Sequence, residues 1–341
     1  MKDLTPFSLL LLKRRLFCML VVILLLSAGR APAADRPYDP LAVSDQNRFE
    51  TLDFTVKDQG RRREIPIRVY LPLEKTPAPV VLFSHGLGGT RAGYAYLGRH
   101  WALRGYVAVF LEHRESDASV SWDKRPRQGM APIQRAAGVQ NFLLRVKDVS
   151  VVLDQLERWN KSDGHALAGM LDLSRIGMSG HSFGAATTQA MSGQVFSHGK
   201  SSYTDLRIKA AIAFSPSSPG RGSDPKEAFG SVKIPWMLMT GTRDFTGIGN
   251  GDLKSRLAVF AALPPGGKYE LVLDGAEHSA FTDRTSPREA GKRNLDYHRV
   301  ILALTTGFWD AWLCGDMAAR TWLDGDGPNS VLEKNDRWQR K

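Results

Sequence analysis

Apolar positions along this chain follow two rhythms. Val80 to Phe83, Tyr106 to Leu111, Arg175 to Ser179, Ala210 to Phe214, Trp236 to Met239 and Tyr269 to Leu273 are short, largely apolar runs, as expected of strands covered on both faces. Between them Phe142, Val146, Val149, Leu153 and Leu156 recur by fours and threes and predict a helix ending near Trp159. Tyr297, Ile301, Leu304, Phe308 and Ala311 predict a second long helix, ending at Gly315. Shorter helices are predicted from Tyr94 to Arg104, stopped by Gly105, from Ala185 to Met191, and from a capping Asp316 through Leu323. Strands alternating with helices predict an α/β fold with a mostly parallel central sheet and helices on both faces.

The flanking segments read differently. Thr51 to Val56 and Ile65 to Leu71 alternate around the polar turn 57–63 and predict an antiparallel hairpin at the sheet edge, with Arg61-Arg62-Arg63 solvated. Glu112 to Arg135 is long, charged and aperiodic, a connection suited to walling a cleft. Its His113 and Trp122 are read as packing or solvent-facing residues rather than substrate contacts. The expected organisation is a leader over 1–34, an arm over 35–48, the α/β domain over 49–325 and a polar tail over 326–341.

Composition narrows the class. With 341 residues, 43% hydrophobic and 24% charged, the chain has material for a sizeable core, which excludes collagenous and disordered classes. Lys13-Arg14-Arg15, the apolar stretch Leu16 to Ala28 and Ala31-Pro32-Ala33-Ala34 have the layout of a secretory signal. The apolar stretch, about 13 residues, is short for a membrane span. Cleavage near Ala33/Ala34 and a secreted or periplasmic location are the expectation, with a retained anchor as the alternative. No lipobox ends at Cys18. After cleavage Cys314 stands alone, so no intramolecular disulfide is expected. The net charge of +11 falls only mildly on cleavage, which favours anionic surfaces without being a nucleic-acid signature. Asn160-Lys161-Ser162 is a glycosylation sequon for a host that uses one.

Candidate chemistry centres on Gly180-His181-Ser182-Phe183-Gly184, a G-x-S-x-G segment between a predicted strand and a predicted helix. Small residues on either side let the chain close a sharp corner that pushes the serine hydroxyl into a cleft. Ser84-His85-Gly86-Leu87-Gly88-Gly89 follows another strand, lacks the G-K-S/T of a phosphate cradle, and is placed to offer a backbone donor to an oxyanion. The Leu87 and Phe183 N–H groups are the expected pair. Asp244 and His278 each lie just past a strand, giving the order nucleophile, acid, base. A serine needs an imidazole to take its proton, and the imidazole needs a carboxylate to fix its tautomer. Asp252 and Asp274 are the alternative acids. His181 is read as packing in the elbow, its side chain pointing away from the nucleophile.

Phe83-Ser84-His85-Gly86-Leu87-Gly88-Gly89, Leu111-Glu112-His113-Arg114 and the Ser182 elbow resemble the platelet-activating-factor acetylhydrolase branch of the α/β-hydrolases and, more broadly, dienelactone-hydrolase-like proteins. The resemblance covers about residues 80–195. It implies an α/β-hydrolase fold, a Ser182, Asp244, His278 triad, oxyanion donors at Leu87 and Phe183, and short-acyl carboxylic esters as substrates, with no cofactor or metal. Dienelactone hydrolases proper differ in using a cysteine where Ser182 stands. The leading expectation is a carboxylic ester hydrolase acting on a small-molecule or lipid ester, with no nucleic-acid partner; peripheral membrane contact and oligomeric state stay open. A prolyl-oligopeptidase-type peptidase is one alternative, although the segment before the first strand is too short for a propeller. A non-catalytic hydrolase-fold binding protein is another, although no triad member is missing.

Overall fold

The structure, a computed structural model, describes residues 37–44, 46–74, 76–120, 131–196, 201–220, 223–246, 251–283 and 296–341. The expected leader and Trp122 lie outside them. In chain order the hairpin β1 (Phe49–Asp58) and β2 (Arg63–Pro72) precedes β3 (Ala78–Ser84), α1 (Ala95–Leu103), β4 (Val107–Leu111), α2 (Ala131–Ala136), α3 (Val139–Asn160), β5 (Leu171–His181) and α4 (Phe183–Met191). A two-residue ribbon, β6 (Val195–Phe196) and β7 (Ser201–Ser202), leads to β8 (Ile208–Phe214), α5 (Pro225–Phe229), β9 (Trp236–Arg243), α6 (Leu253–Ala262) and β10 (Lys268–Glu277). The chain ends with α7 (Asp296–Trp312), α8 (Met317–Asp324) and β11 (Arg337–Arg340).

Among the described residues nine strands form one sheet in the order β1-β2-β4-β3-β5-β8-β9-β10-β11. From β4 to β10 every neighbouring pair is parallel, and antiparallel pairs close both edges. This is the α/β-hydrolase architecture. Because side chains alternate along a strand, each strand feeds both layers. Val80 and Leu82 of β3, with Ile176 and Met178 of β5, pack in one cluster with Val149, Val152, Leu153 and Leu156 of α3. Gly177, on the opposite face of β5, lies under α7, where a Cβ would come within 2.8 Å of the Trp309 ring. On that same face Phe83 stacks on Phe110, their ring centroids 4.9 Å apart.

Two expectations are corrected. The stretch read as a polar tail supplies β11, which pairs antiparallel with β10 and stacks Trp338 on Tyr269. Arg, Gln and Arg alternate with one Trp there, too weak an apolar pattern to be read as a strand. The arginine run is a solvated turn only at Arg62, which is exposed. Arg61 and Arg63 turn inward to the carboxylate of Asp148 on α3, with Arg61 Nη2 at 2.9 Å and Arg63 Nε at 2.8 Å. In the stretch expected as an arm, Asn47 Nδ2 donates to the Leu103 carbonyl at 2.7 Å.

Candidate active site

The parallel strands end along one rim, and five adjacent strands, β3, β5, β8, β9 and β10, each deliver residues there. At the centre, β5 stops at His181 and α4 begins at Phe183, leaving Ser182 alone to make the turn at φ 58° and ψ −115°. A non-glycine residue in that region is strained and persists only where its surroundings hold it. The Ser182 N–H donates to the Phe214 carbonyl at 2.9 Å. Gly184 admits no substituent, since a Cβ there would sit 1.8 Å from the Ser84 carbonyl oxygen. A Cβ on Gly180 would sit 2.4 Å from the Gly184 oxygen. The two framing glycines are therefore what allows α4 to start against β3.

The three side chains expected to cooperate meet. His278, in a short 3₁₀ turn (His278–Phe281) after β10, has Nε2 2.9 Å from Ser182 Oγ and Nδ1 2.7 Å from Asp244 Oδ1. Asp244 follows β9 and is buried. Its Oδ2 accepts from Ser215 Oγ at 2.6 Å and Thr240 Oγ1 at 2.8 Å, while Arg256 Nη2 lies 3.0 Å from Oδ1. Burial works to raise the Asp244 pKa, but the His278 hydrogen bond, the His278 and Arg256 charges and the Ser215 hydroxyl outweigh it and bring the carboxyl down to about 2. An ionised carboxylate is an acceptor only, so His278 Nδ1 carries the proton it donates, and Nε2 presents its lone pair to the serine hydroxyl.

The other residues singled out in the sequence lie as follows. Leu87 and Phe183 are half-buried at the rim, and among the described residues neither backbone N–H donates within the fold. The alternative acids are occupied elsewhere: Asp252 caps α6 through the Ser255 N–H, and Asp274 accepts from Thr242 Oγ1 at 3.2 Å. His181 packs in the elbow, but its side chain does not point away. Its ring lies 4.5 Å, centroid to centroid, from that of His278, and its Nδ1 is 3.0 Å from the Tyr94 hydroxyl. Burial and then the adjacent His278 hold His181 well below the usual histidine range. His113 is fully buried, with Nε2 2.9 Å from Ser84 Oγ and Nδ1 3.1 Å from Asp148 Oδ2, which fits its reading as a packing residue.

Sequence reasoning missed Arg145, Arg256, Tyr94 and Ser215. The two arginines left a trace: Arg145 falls on the apolar stripe of α3 beside Val146 and Val149, and Arg256 falls three and four residues before Val259 and Phe260. A charged residue on a buried helical face has to be satisfied by other segments. Tyr94 and Ser215 sit in loops with no comparable signal.

A family model described as platelet-activating factor acetylhydrolase, isoform II, matches residues 68–149. The chain is 27% identical over 164 residues to the platelet-activating factor acetylhydrolase of Cavia porcellus, covering 40% of this chain and 35% of that protein. It is 25% identical over 315 residues to that of Gallus gallus, covering 75% and 68% respectively. To the enzyme of Canis lupus familiaris it is 28% identical over 143 residues, 33% of this chain and 32% of the relative. The alignment thus spans about a third of the guinea-pig and dog proteins and about two thirds of the chicken one. This chain has the α/β-hydrolase fold and resembles the platelet-activating factor acetylhydrolases.

Proposed function

We propose that this α/β-hydrolase is a serine carboxylic ester hydrolase that cleaves short-acyl esters through an acyl-enzyme. Ser182 is the nucleophile, His278 the general base and Asp244 the acid that orients it, with the Leu87 and Phe183 N–H groups as oxyanion donors. The observation that carries the reading is the unbroken relay from Ser182 Oγ to His278 Nε2 and from His278 Nδ1 to Asp244 Oδ1, at 2.9 and 2.7 Å. As Ser182 Oγ attacks the ester carbonyl, its proton passes to His278 Nε2, and the imidazolium is stabilised by the Asp244 carboxylate. The carbonyl oxygen becomes an anion between the two N–H groups, each typically worth about 3 kcal/mol of transition-state stabilisation. Collapse expels the alcohol with the proton from His278, and water attacks the acyl-enzyme by the same base.

The substrate reading draws on the relatives' names, which specify acetyl hydrolysis, and is accordingly a small-molecule or lipid acetyl ester. Export to the periplasm or the exterior rests on the basic, apolar and small-residue order of residues 13–34. No helix among the described residues is long and apolar enough to cross a membrane.

The test is a panel of p-nitrophenyl esters from acetate to palmitate beside peptide nitroanilides, with a fluorophosphonate probe. Acetate turnover, labelling of Ser182 and loss of both in a folded Ser182→Ala variant are expected. Preferential cleavage of the nitroanilides would replace esterase by peptidase, and full activity in Ser182→Ala would overturn the mechanism.

A further inference from the structure

Arg145 is a cation in the wrong place for a purely structural residue. It lies fully buried on the inner face of α3, and Asp148, one turn further on, is already taken by Arg61, Arg63 and His113. Burial draws the Arg145 guanidinium down to about 9, which leaves it charged at neutral pH. No carboxylate reaches it within ion-pair distance among the described residues. A buried charge with no counter-ion is costly unless neutral dipoles or a transient anion compensate it.

Its contacts are with the two segments that carry the proposed oxyanion donors and with Ser116, in the connection after β4. Nη1 donates to the His85 carbonyl at 2.7 Å and to Ser84 Oγ at 3.3 Å. Nε donates to Ser116 Oγ at 2.8 Å, and Nη2 to the Ser116 carbonyl at 3.4 Å, which also takes the Gly88 N–H at 2.9 Å. On the other side the guanidinium lies over the Phe183 ring, 4.5 Å from its centroid.

His85 continues the same device. The His113 N–H donates to His85 Nε2 at 3.0 Å, so that nitrogen is the acceptor and the ring proton is on Nδ1. From Nδ1 it is donated to the Gly86 carbonyl at 2.7 Å, and the Gly89 N–H donates to the same oxygen at 3.0 Å. That carbonyl belongs to the peptide whose other end is the Leu87 N–H. In a planar trans peptide the C=O and N–H are antiparallel, so pinning the oxygen aims the hydrogen. Burial and then the Arg145 charge keep His85 well below the usual histidine range, so the ring stays neutral and its tautomer stays fixed.

We propose that Arg145 is a positioning residue for the oxyanion hole: one buried guanidinium fixes the His85–Gly88 loop and the Phe183 end of α4 together. The inference rests on the ester-hydrolase reading above and deepens it. It explains why a guanidinium stands on the buried face of α3: Nη1, Nη2 and Nε donate to segments that an apolar side chain could not tie together.

The experiment compares wild type, Arg145→Met and Arg145→Lys in the full chain, measuring kcat and KM on p-nitrophenyl acetate. Inhibition by a trifluoromethyl ketone, whose adduct carries the oxyanion, and thermal melting are recorded alongside. Arg145→Met is expected to lower kcat roughly 10²-fold with KM little changed, and to weaken the ketone by a similar factor. Arg145→Lys, which keeps the charge but not the fork, is expected to fall between the two. If Arg145→Met does not fold, the Lys variant decides, by a kcat loss matched or unmatched by the ketone. A folded Met or Lys variant with wild-type kcat, or one whose kcat falls while the ketone binds as before, overturns the inference alone. A wild-type chain that hydrolyses no ester and takes no fluorophosphonate brings down the ester-hydrolase reading, and this one with it.

Discussion

Arg256 Nη2 lies 3.0 Å from Asp244 Oδ1, the oxygen that also receives His278 Nδ1 at 2.7 Å. The acid of the proposed triad is therefore shared between an imidazole and a permanent cation. Arg256 is buried and held in place by the carbonyls of Asp244, Ser215 and Pro216. Its charge is one of the causes that keep the Asp244 carboxyl ionised. Arg256→Gln is expected to lower kcat on p-nitrophenyl acetate roughly tenfold, by loosening the carboxylate that orients His278. Arg256→Lys, which keeps the charge, is expected to retain most of the wild-type kcat. The measurement is p-nitrophenyl acetate hydrolysis near neutral pH, and an unchanged kcat in a folded Arg256→Gln would show that the guanidinium only supports the fold.

Gly184 and Ser182 are predicted to respond in opposite ways. Gly184→Ala puts a methyl 1.8 Å from the Ser84 carbonyl oxygen, where no side-chain rotation gives relief, so destabilisation of more than about 3 kcal/mol and loss of fluorophosphonate labelling are expected. Ser182→Gly removes the φ 58° strain, of order 1 to 3 kcal/mol, against about 1 kcal/mol of added chain entropy in the unfolded state. The glycine variant is therefore expected to be inactive but at least as stable as wild type in urea unfolding. A clearly less stable glycine variant would mean that the elbow is not strained.

The Asp244 carboxyl sits at about 2 against 3.8 for the free group. A carboxyl lowered in the folded state contributes stability above its unfolded value and loses it as pH falls through the folded one. Asp244→Asn should therefore be less stable than wild type by roughly 2 kcal/mol near neutrality, with the gap narrowing below pH 4 and closing near pH 2. Urea midpoints of both proteins across that range provide the check, and a gap independent of pH would assign it to packing instead. The same variant should lose about 10⁴-fold in kcat through the wrong histidine tautomer.

At the far edge, Trp338 of β11 stacks on Tyr269 with centroids 5.6 Å apart, and Gln339 Nε2 donates to the buried Glu270 carboxylate. Deleting residues 337–341 is expected to lower stability by roughly 2 kcal/mol or more, since it strips the last strand from β10. The truncated chain is expected still to take the fluorophosphonate. An unchanged urea midpoint would indicate that this strand adds nothing to the sheet.

How far the sequence alone reaches can be judged from particular elements. The inner strands were legible because burial on both faces forces a continuous apolar run, and α3 and α7 because a one-sided helix must repeat by threes and fours. The Ser182 elbow and the Ser, Asp, His order were legible because a sharp strand-to-helix corner demands glycines at fixed offsets. The short helices α2, α5 and α6 were not read, being brief or weakly patterned, and β11 was hidden because an edge strand needs few apolar residues.

By itself, then, the sequence determined which segments become the central strands and principal helices and which residues stand at their ends, since those follow from local periodicity and backbone sterics. Only the tertiary structure decided what surrounds those ends: that Arg256 shares the Asp244 carboxylate, that His85 pins the Gly86 carbonyl, that Arg145 bridges two loops, and that Arg61 and Arg63 fold inward to Asp148. Those pairings join residues far apart in the chain, and hydrogen bonds between buried polar groups are set by three-dimensional proximity and the need to satisfy each group out of water, which leaves no periodic mark in the order of the amino acids.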